Sequence, residues 1–540
     1  MTRTPPAGRP ARPAFAPHRP TRRPTISRVS TAPGNRGRDR VTTTEYVNQG
    51  AAIRLDRPET DAITDLSGAA PLTVTFGEFD RRASSLAQAL AERHPRGATV
   101  GVLGENSLPW LIVFCAIQRA GLVAVPINYR QPAELVEYVV RDAGLAELFV
   151  DASQREKTVG LGDLPLTDLQ DAWSASETPA DFPPVQVDPE EPAMFLYTSG
   201  STGKPKGVVL SHRSHLWVIA QGIEGKSRDS RLLISAPLYH MGALSPVQRA
   251  MGAGQSVVLL PRFEVTAVLD AIERYRITDL NGVPPMIAML LQDEEGVART
   301  DLSSVSTVIL NSAPASKELL TELTEVFRQP RFVFTFGTTE SGPVAFTAPA
   351  DGRPVPLGSV GVPHPAVELR LVGADGAAAG DLGVLQIRCP GLMSGYHDRP
   401  DIPSPITADG YYHTNDLFQR DEEGFYSFIG RKDDMFVSGG ENLYPRAIEI
   451  ALESHPAVSQ AAVVPVPDAL KGTKPVAFVV AAAGAQLEEP ELRQYSLTKL
   501  EPAAHPRRVW FIDELPLAAT NKVDKKPLRD RALRELGLVD

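Results

Sequence analysis

Tyr197-Thr-Ser-Gly-Ser-Thr-Gly-Lys-Pro-Lys-Gly207 is the stretch on which the fold turns. An apolar strand, Met194 to Leu196, leads into it, and the segment after Ser211 reads as a helix. Thr198, Ser199, Gly200, Ser201, Thr202 and Gly203 crowd glycines and hydroxyls together, so that backbone N–H groups and hydroxyls point at one spot while Lys204 adds charge. Such a turn suits a polyphosphate. It is not a Walker loop, because only two residues separate Gly200 from Gly203 and Pro205 follows the lysine.

Around this turn, from Glu45 to about Gly430, short apolar strands alternate with amphipathic helices, the pattern of a layered α/β protein. Thr99 to Leu103 is a short strand ending at Gly104. Residues 316–328 open with Ser316 as a helix cap and put Leu319, Leu320, Leu323, Val326 and Phe327 on one face. Arg331 to Phe336 reads as a buried strand, and Leu385 and Ile387 alternate with Gln386 and Arg388 as a half-exposed one. The last 110 residues read as a small α+β unit: a helix from Pro445, strands at Gln460–Val466, Pro475–Val480 and Val509–Ile512, and a helix after Pro490. The polar link Gly430–Asp434 divides a large amino-terminal domain, 45–430, from a small carboxy-terminal one, 431–540.

A length of 540 residues calls for at least two domains. No apolar run reaches the roughly 20 residues of a membrane span, since Gln118 and Arg119 interrupt Trp110–Ile127. Cys115 and Cys389 lie far apart in apolar surroundings and read as buried, inert thiols of a cytoplasmic protein. Residues 1–40 carry a charge of +9, from ten arginines against Asp39, which leaves −19 for the 500 that follow. An acidic body argues against nucleic acid as a partner. The basic stretch holds eight prolines and no apolar periodicity. Its arginines resemble those of a transit peptide, but the prolines forbid the amphipathic helix. Residues 1–44 are therefore read as a disordered tail or an over-extended start, with Val41 the true beginning.

Further along come Phe336-Gly-Thr-Thr-Glu340, His413-Thr-Asn-Asp416, Gly430-Arg-Lys-Asp-Asp434, Ser438-Gly-Gly-Glu-Asn-Leu-Tyr-Pro445 and Thr520-Asn-Lys-Val523. With the glycine-rich turn, these resemble in kind and order the motifs of the adenylate-forming superfamily, specifically its acyl-CoA synthetases, over residues from about 50 to the end. The resemblance implies a large domain and a small mobile one. It implies ATP, Mg2+ and coenzyme A, and two half-reactions: a carboxylate attacks the α-phosphorus to give an acyl-adenylate, then a thiol displaces AMP. It assigns Glu340 to Mg2+, Thr339 to the α-phosphate, Phe336, Gly337 and Thr338 to the nucleotide, and Asp416 with Arg431 to the ribose. Lys522, on the mobile domain, is implied to meet the carboxylate and α-phosphate, an electrostatic role. Asp433 matches the hinge, and Ser438, Gly439, Gly440, Lys471 and Gly472 match the thiol tunnel.

The stretch Ala236-Pro-Leu-Tyr-His-Met-Gly242 resembles the pocket entrance of acyl- and aryl-CoA synthetases, with His240 where amino-acid activators carry an aspartate. Met241, Asn311, Ser312, Ala313, Phe334, Gly337 and Thr338 complete the expected acyl pocket. Asn311-Ser312 in place of the family's glycine pair narrows the floor and favours an aromatic or alicyclic acid over a long chain. Three departures flank the machinery: Asn415 and Asn521 stand at usual glycines, and Phe336 at a usual tyrosine. They leave open an enzyme that uses a supplied acyl-adenylate without making it. The same motifs would also suit an enzyme that loads a carrier protein instead of free CoA, or a non-catalytic acyl or nucleotide sensor.

Overall fold

The computed structural model describes residues 48–198, 204–221, 227, 229–311, 315, 317–373, 376–438, 441–482, 484–518 and 522–539. The strand Pro192–Thr198 lies inside a seven-stranded sheet, parallel to Val123–Ile127 on one side and antiparallel to Lys206–Ser211 on the other. Thr99–Leu103, Glu147–Val150 and Leu166–Asp168 continue it in parallel, and Gly395–Tyr396 closes the opposite edge against Lys206–Ser211. Every residue of Val123–Ile127 is buried, as a parallel strand covered on both faces must be. The glycine-rich segment thus joins two hairpin strands, and the helix His212–Gln221 comes one strand later. Val208, Val209 and Leu210, β-branched or apolar, supply that extra strand.

A second sheet of seven strands runs in the order Arg331–Thr335, Thr307–Asn311, Asp279–Gly282, Arg231–Ile234, Ser256–Leu259, Asp61–Asp65, Leu72–Thr75. The helices Phe76–Arg93 and Leu108–Arg119 fill the space between the two sheets, burying Phe79, Leu90, Trp110 and Phe114. Thr75 and Ser107 start them by accepting from the N–H groups of Glu78 and Trp110. Each such large apolar side chain contributes about 1.5–3 kcal/mol on burial. Gln118 and Arg119, which break the apolar run, are buried with partners: Gln118 Nε2 donates to the carbonyl of Ala193, and Arg119 pairs with Asp80. No helix among the described residues is long and apolar enough to cross a membrane.

A third, antiparallel sheet of six strands includes Leu382–Arg388, Tyr412–Arg420 and Tyr426–Arg431, packed around Phe346, Phe418 and Tyr426. Leu382–Arg388 is less exposed than its alternation predicts. Gln386 is buried because its amide bonds both Arg370 and His413.

After Lys432–Asp434, a short turn of helix, the chain builds a five-stranded sheet around the hairpin Val458–Asp468 and Gly472–Ala481. Side chains alternate across it: Val463, Ala477 and Val479 face the helices Pro445–Glu453 and Glu489–Lys499, while Val464, Val476 and Phe478 face Lys525–Glu535. The expected helix 316–328 is Lys317–Val326, with Leu320, Leu323 and Phe327 buried; Ser316 lies outside the described residues.

Candidate active site

Asp416 owes its position to a kink. Asn415 before it has φ +62°, the left-handed conformation that glycine adopts freely and asparagine tolerates best among the rest. The kinked strand Tyr412–Arg420 pairs Asp416 with Arg431, whose Nε lies 3.7 Å from Oδ1. Only 5% of Asp416 is exposed, and burial pushes its carboxyl up to about 6 against the opposing pull of Arg431 and Lys522.

Lys522 reaches this cleft from the carboxy-terminal unit. It adjoins the bridge that pairs Leu517 with Val523, and its carbonyl accepts from Ala518 N–H at 2.7 Å. Its side chain keeps access to water, yet lies in a crowded cleft where desolvation lowers its ammonium pKa, against the pull of Asp416. Lys522 also acts on His240, which precedes the helix Met241–Ala253. Burial first, then Lys522 and Arg130, hold His240 down at about 3, so the imidazole is neutral, and its Nε2 is buried without a hydrogen-bond partner.

Glu340, 7% exposed, follows a turn in which Thr338 Oγ1 accepts from Ser341 N–H and Thr338 bridges Gly342. A Cβ on Gly337 would stand 2.2 Å from the carbonyl oxygen of Gly342, so only glycine fits. Thr339 is half-buried in the same turn. Glu340 Oε1 accepts from the Tyr396 hydroxyl at 3.0 Å and lies 3.8 Å from Lys206 Nζ, which itself donates to Tyr396 at 2.7 Å. Lys206, not Lys204, is therefore the lysine brought to the glutamate. Lys204 is exposed and lies over the Tyr138 ring at 5.4 Å. Sequence reasoning missed Lys206 and Tyr396; reading 206–211 as a strand would have put Lys206 at the hairpin's base, opposite Thr198. Thr198 Oγ1 is buried and unpartnered. Ser199 to Gly203 lie outside the described residues.

Other expected residues have the following surroundings. Phe336 packs edge-on against Phe418 (4.8 Å) and Phe346 (5.9 Å), so its ring is committed to the third sheet's core. Met241 is buried in the central core. Asn311 donates its amide to Asn281 Oδ1 at 2.6 Å. Phe334 lies on the opposite face of its strand from Thr335, the partner of Asn311. The register pairs Asn311 with Thr335, and Phe334 packs with Phe332 against the outer core, whereas Val333 packs on the Met241 side. Ser312, Ala313 and Asn521 lie outside the described residues. Asp433, exposed, stands 3.5 Å from Arg431. Ser438 is fully buried, its Oγ has no partner, and its Cα pairs with Gly472, next to half-buried Lys471; Gly439 and Gly440 are outside the described residues. Burial raises the thiols, Cys115 to about 12 and Cys389 to about 11, which makes both poor nucleophiles.

The AMP-binding enzyme family model matches residues 54–397, and that of the AMP-binding enzyme C-terminal domain matches 447–522. The chain belongs to the AMP-binding enzyme family. A feruloyl-CoA synthase of Amycolatopsis sp is 32% identical over 466 residues, 85% of this chain and 94% of that one. The fatty acid–[acyl-carrier-protein] ligase ScoC of Streptomyces coeruleorubidus is 33% identical over 484 residues, 85% and 92% of the two chains. Among solved structures, the anthranilate CoA ligase AuaEII in complex with anthranoyl-AMP superposes with a TM-score of 0.83 at 25% identity, covering 92% and 100%. ATP-bound MatB from Rhodopseudomonas palustris gives 0.80 at 28%, covering 91% and 99%.

Within this AMP-binding enzyme the Asn415 departure is conformationally satisfied. Asn415→Gly is expected to shift stability by less than about 1 kcal/mol, whereas Asn415→Val, β-branched at positive φ, is expected to cost about 1–2 kcal/mol. Chemical denaturation of both variants checks this.

Proposed function

We propose that the protein is a carboxylic acid–CoA ligase that forms an acyl-adenylate from ATP and the acid, releases pyrophosphate, and passes the acyl group to coenzyme A. The observation that carries this reading is Lys522, delivered by the carboxy-terminal unit to the cleft that holds Asp416 and His240. An ammonium there stabilises negative charge as the acid's oxygen attacks the α-phosphorus and the phosphorus–oxygen bond to pyrophosphate breaks. Buried polar atoms without partners, Thr198 Oγ1 and His240 Nε2, fit a site finished by its substrate, since an unmet buried polar group costs about 1–3 kcal/mol. Asp416 takes the ribose hydroxyls, with Arg431 beside it, and Lys206 the phosphates. No three His, Cys, Asp or Glu side chains gather as a metal cage among the described residues. Glu340, its carboxylate bonded to a hydroxyl and not locked in a close ion pair, would hold Mg2+, whose charge would offset that of the phosphates.

The acid is proposed to be aromatic or alicyclic. Support comes from the neutral His240 and from similar proteins named for feruloyl and anthranilate groups. The left-handed Asn415 and the docked Lys522 favour a complete ligase over an enzyme confined to thiol transfer. The ScoC relative keeps a carrier protein as the second acceptor. Pyrophosphate exchange across a panel of acids, followed by mass spectrometry of products with CoA and then with a carrier protein, tests the proposal. Absence of exchange with every acid, while synthetic acyl-adenylates are still thiolysed, would leave only the second half-reaction.

Ribose binding requires ionised Asp416. The apparent KM for ATP is therefore expected to rise as pH falls through about 6, reaching roughly tenfold one unit below. Asp416→Asn, weaker throughout, is expected to lose that limb of the profile.

A further inference from the structure

The helix Ala133–Ala143 carries in its last turn an aspartate with three partners, two on its carboxylate and one on its backbone carbonyl, none of them part of the reaction just described. Asp142 Oδ2 accepts from the Tyr197 hydroxyl at 2.6 Å, and Oδ1 from the Tyr138 hydroxyl at 3.2 Å. Its backbone carbonyl accepts from His397 Nε2 at 3.1 Å.

Each partner leads to the ends of the glycine-rich segment. Tyr197, at the close of Pro192–Thr198, pairs with Gly207 across the hairpin. Its ring covers that glycine so tightly that a Cβ there would stand 3.0 Å from Tyr197 Cζ. His397 donates its own backbone N–H to the Gly207 carbonyl at 2.8 Å and stacks on Phe195 at 4.4 Å. Tyr138 lies under Lys204. Tyr396, the neighbour of His397, reaches the other side of the hairpin to Lys206 and Glu340. Chain on both sides of residues 199–203 is therefore tied to Asp142, through Tyr197 and Tyr138 to its carboxylate and through His397 to its backbone carbonyl.

We propose that Asp142 is a positioning residue for nucleotide binding, fixing the spacing of the hairpin ends that flank residues 199–203 without touching the substrate itself. This rests on the reading of that hairpin as the ATP phosphate site. The chemistry suits the task. A carboxylate receiving two phenol hydroxyls makes charge-assisted bonds, stronger than neutral ones and directional. Burial, and then the bond to Asp142, hold the Tyr197 phenol well above its ordinary pKa, so it stays a donor at any working pH.

The test uses the full chain. Asp142→Asn and Tyr197→Phe are compared with wild type for the Kd of Mg·ATP by calorimetry, for KM and kcat in pyrophosphate exchange, and for thiolysis of a synthetic acyl-adenylate by CoA. Losing one hydrogen bond to a charged group is expected to weaken ATP binding and raise its KM about tenfold, with kcat within about threefold. Thiolysis is expected to be unchanged, and Asp142→Glu to recover part of the loss. An ATP Kd like that of wild type in both variants overturns the proposal. So does a parallel fall in kcat and thiolysis with a lowered melting temperature, the mark of a merely structural bond. If wild type binds ATP but exchanges pyrophosphate with no acid, the ligase reading fails while the Kd comparison still decides the role of Asp142.

Discussion

Lys522→Ala is expected to lower acid-dependent pyrophosphate exchange by about 10²–10³ and to leave thiolysis of a synthetic acyl-adenylate within about threefold of wild type. The reason lies in where the lysine is held. Its backbone adjoins the bridge that pairs Leu517 with Val523, and its ammonium acts electrostatically on Asp416 and His240, both contributed by the large domain. Crowding in the cleft lowers its pKa while Asp416 supports its charge, so the ammonium stands ready to meet the negative charge that develops there. Thiolysis begins with the mixed anhydride already made and needs no such cation if the small domain has swung away. Lys522→Arg keeps the charge on a longer, planar head and is expected to recover only part of the exchange. Equal loss of both half-reactions in Lys522→Ala would show that the lysine serves the fold or a shared binding step, and the two-orientation scheme would fall with it.

Much of this site is legible in the sequence because its residues fall in short, contiguous motifs. Asp416 and Arg431 lie one hairpin apart, and Glu340 closes the turn that Gly337 makes obligatory. What escapes depends on strand register and on pairing between distant segments. Tyr396 and Lys206 meet across 190 positions, through the edge strand Gly395–Tyr396 that two residues of sequence cannot announce. Asp142 joins Tyr197 across 55 positions for the same reason. Motif order sends Phe334 to the pocket with Asn311, yet the parallel register sets Asn311 beside Thr335, and one residue of offset turns a side chain to the other face. Asn311 reads as a polar pocket floor because Asn281, its partner 30 residues away, carries no signal of its own. Asn415, one of the three departures beside the machinery, has a backbone that the structure explains, since it holds the left-handed conformation a glycine would take.

Lys206→Ala is expected to cut pyrophosphate exchange by about 10²-fold, while Lys204→Ala is expected to change it by less than about threefold. The two lysines are separated by Pro205 alone, so net charge, composition and local propensity are the same in both variants. Only geometry distinguishes them. Lys206 begins the strand Lys206–Ser211 opposite Thr198, is half-buried, and closes a triad with Tyr396 and Glu340. Burial lowers its pKa more than Glu340 raises it, so a further anion beside it would be favourable. Lys204 faces water over the Tyr138 ring, an arrangement worth about 0.5–1 kcal/mol and replaceable by solvent. Truncating Lys206 also leaves the Tyr396 hydroxyl and Glu340 without their cation, so the loss is expected chiefly as a raised KM for ATP with a smaller fall in kcat. Lys206→Arg is expected to restore less than half, because a forked guanidinium does not fit where a compact ammonium lies 4.1 Å from the Tyr396 ring. The reverse ranking, with Lys204 the costly substitution, would mean that the hairpin reverses which lysine it presents once ATP is bound.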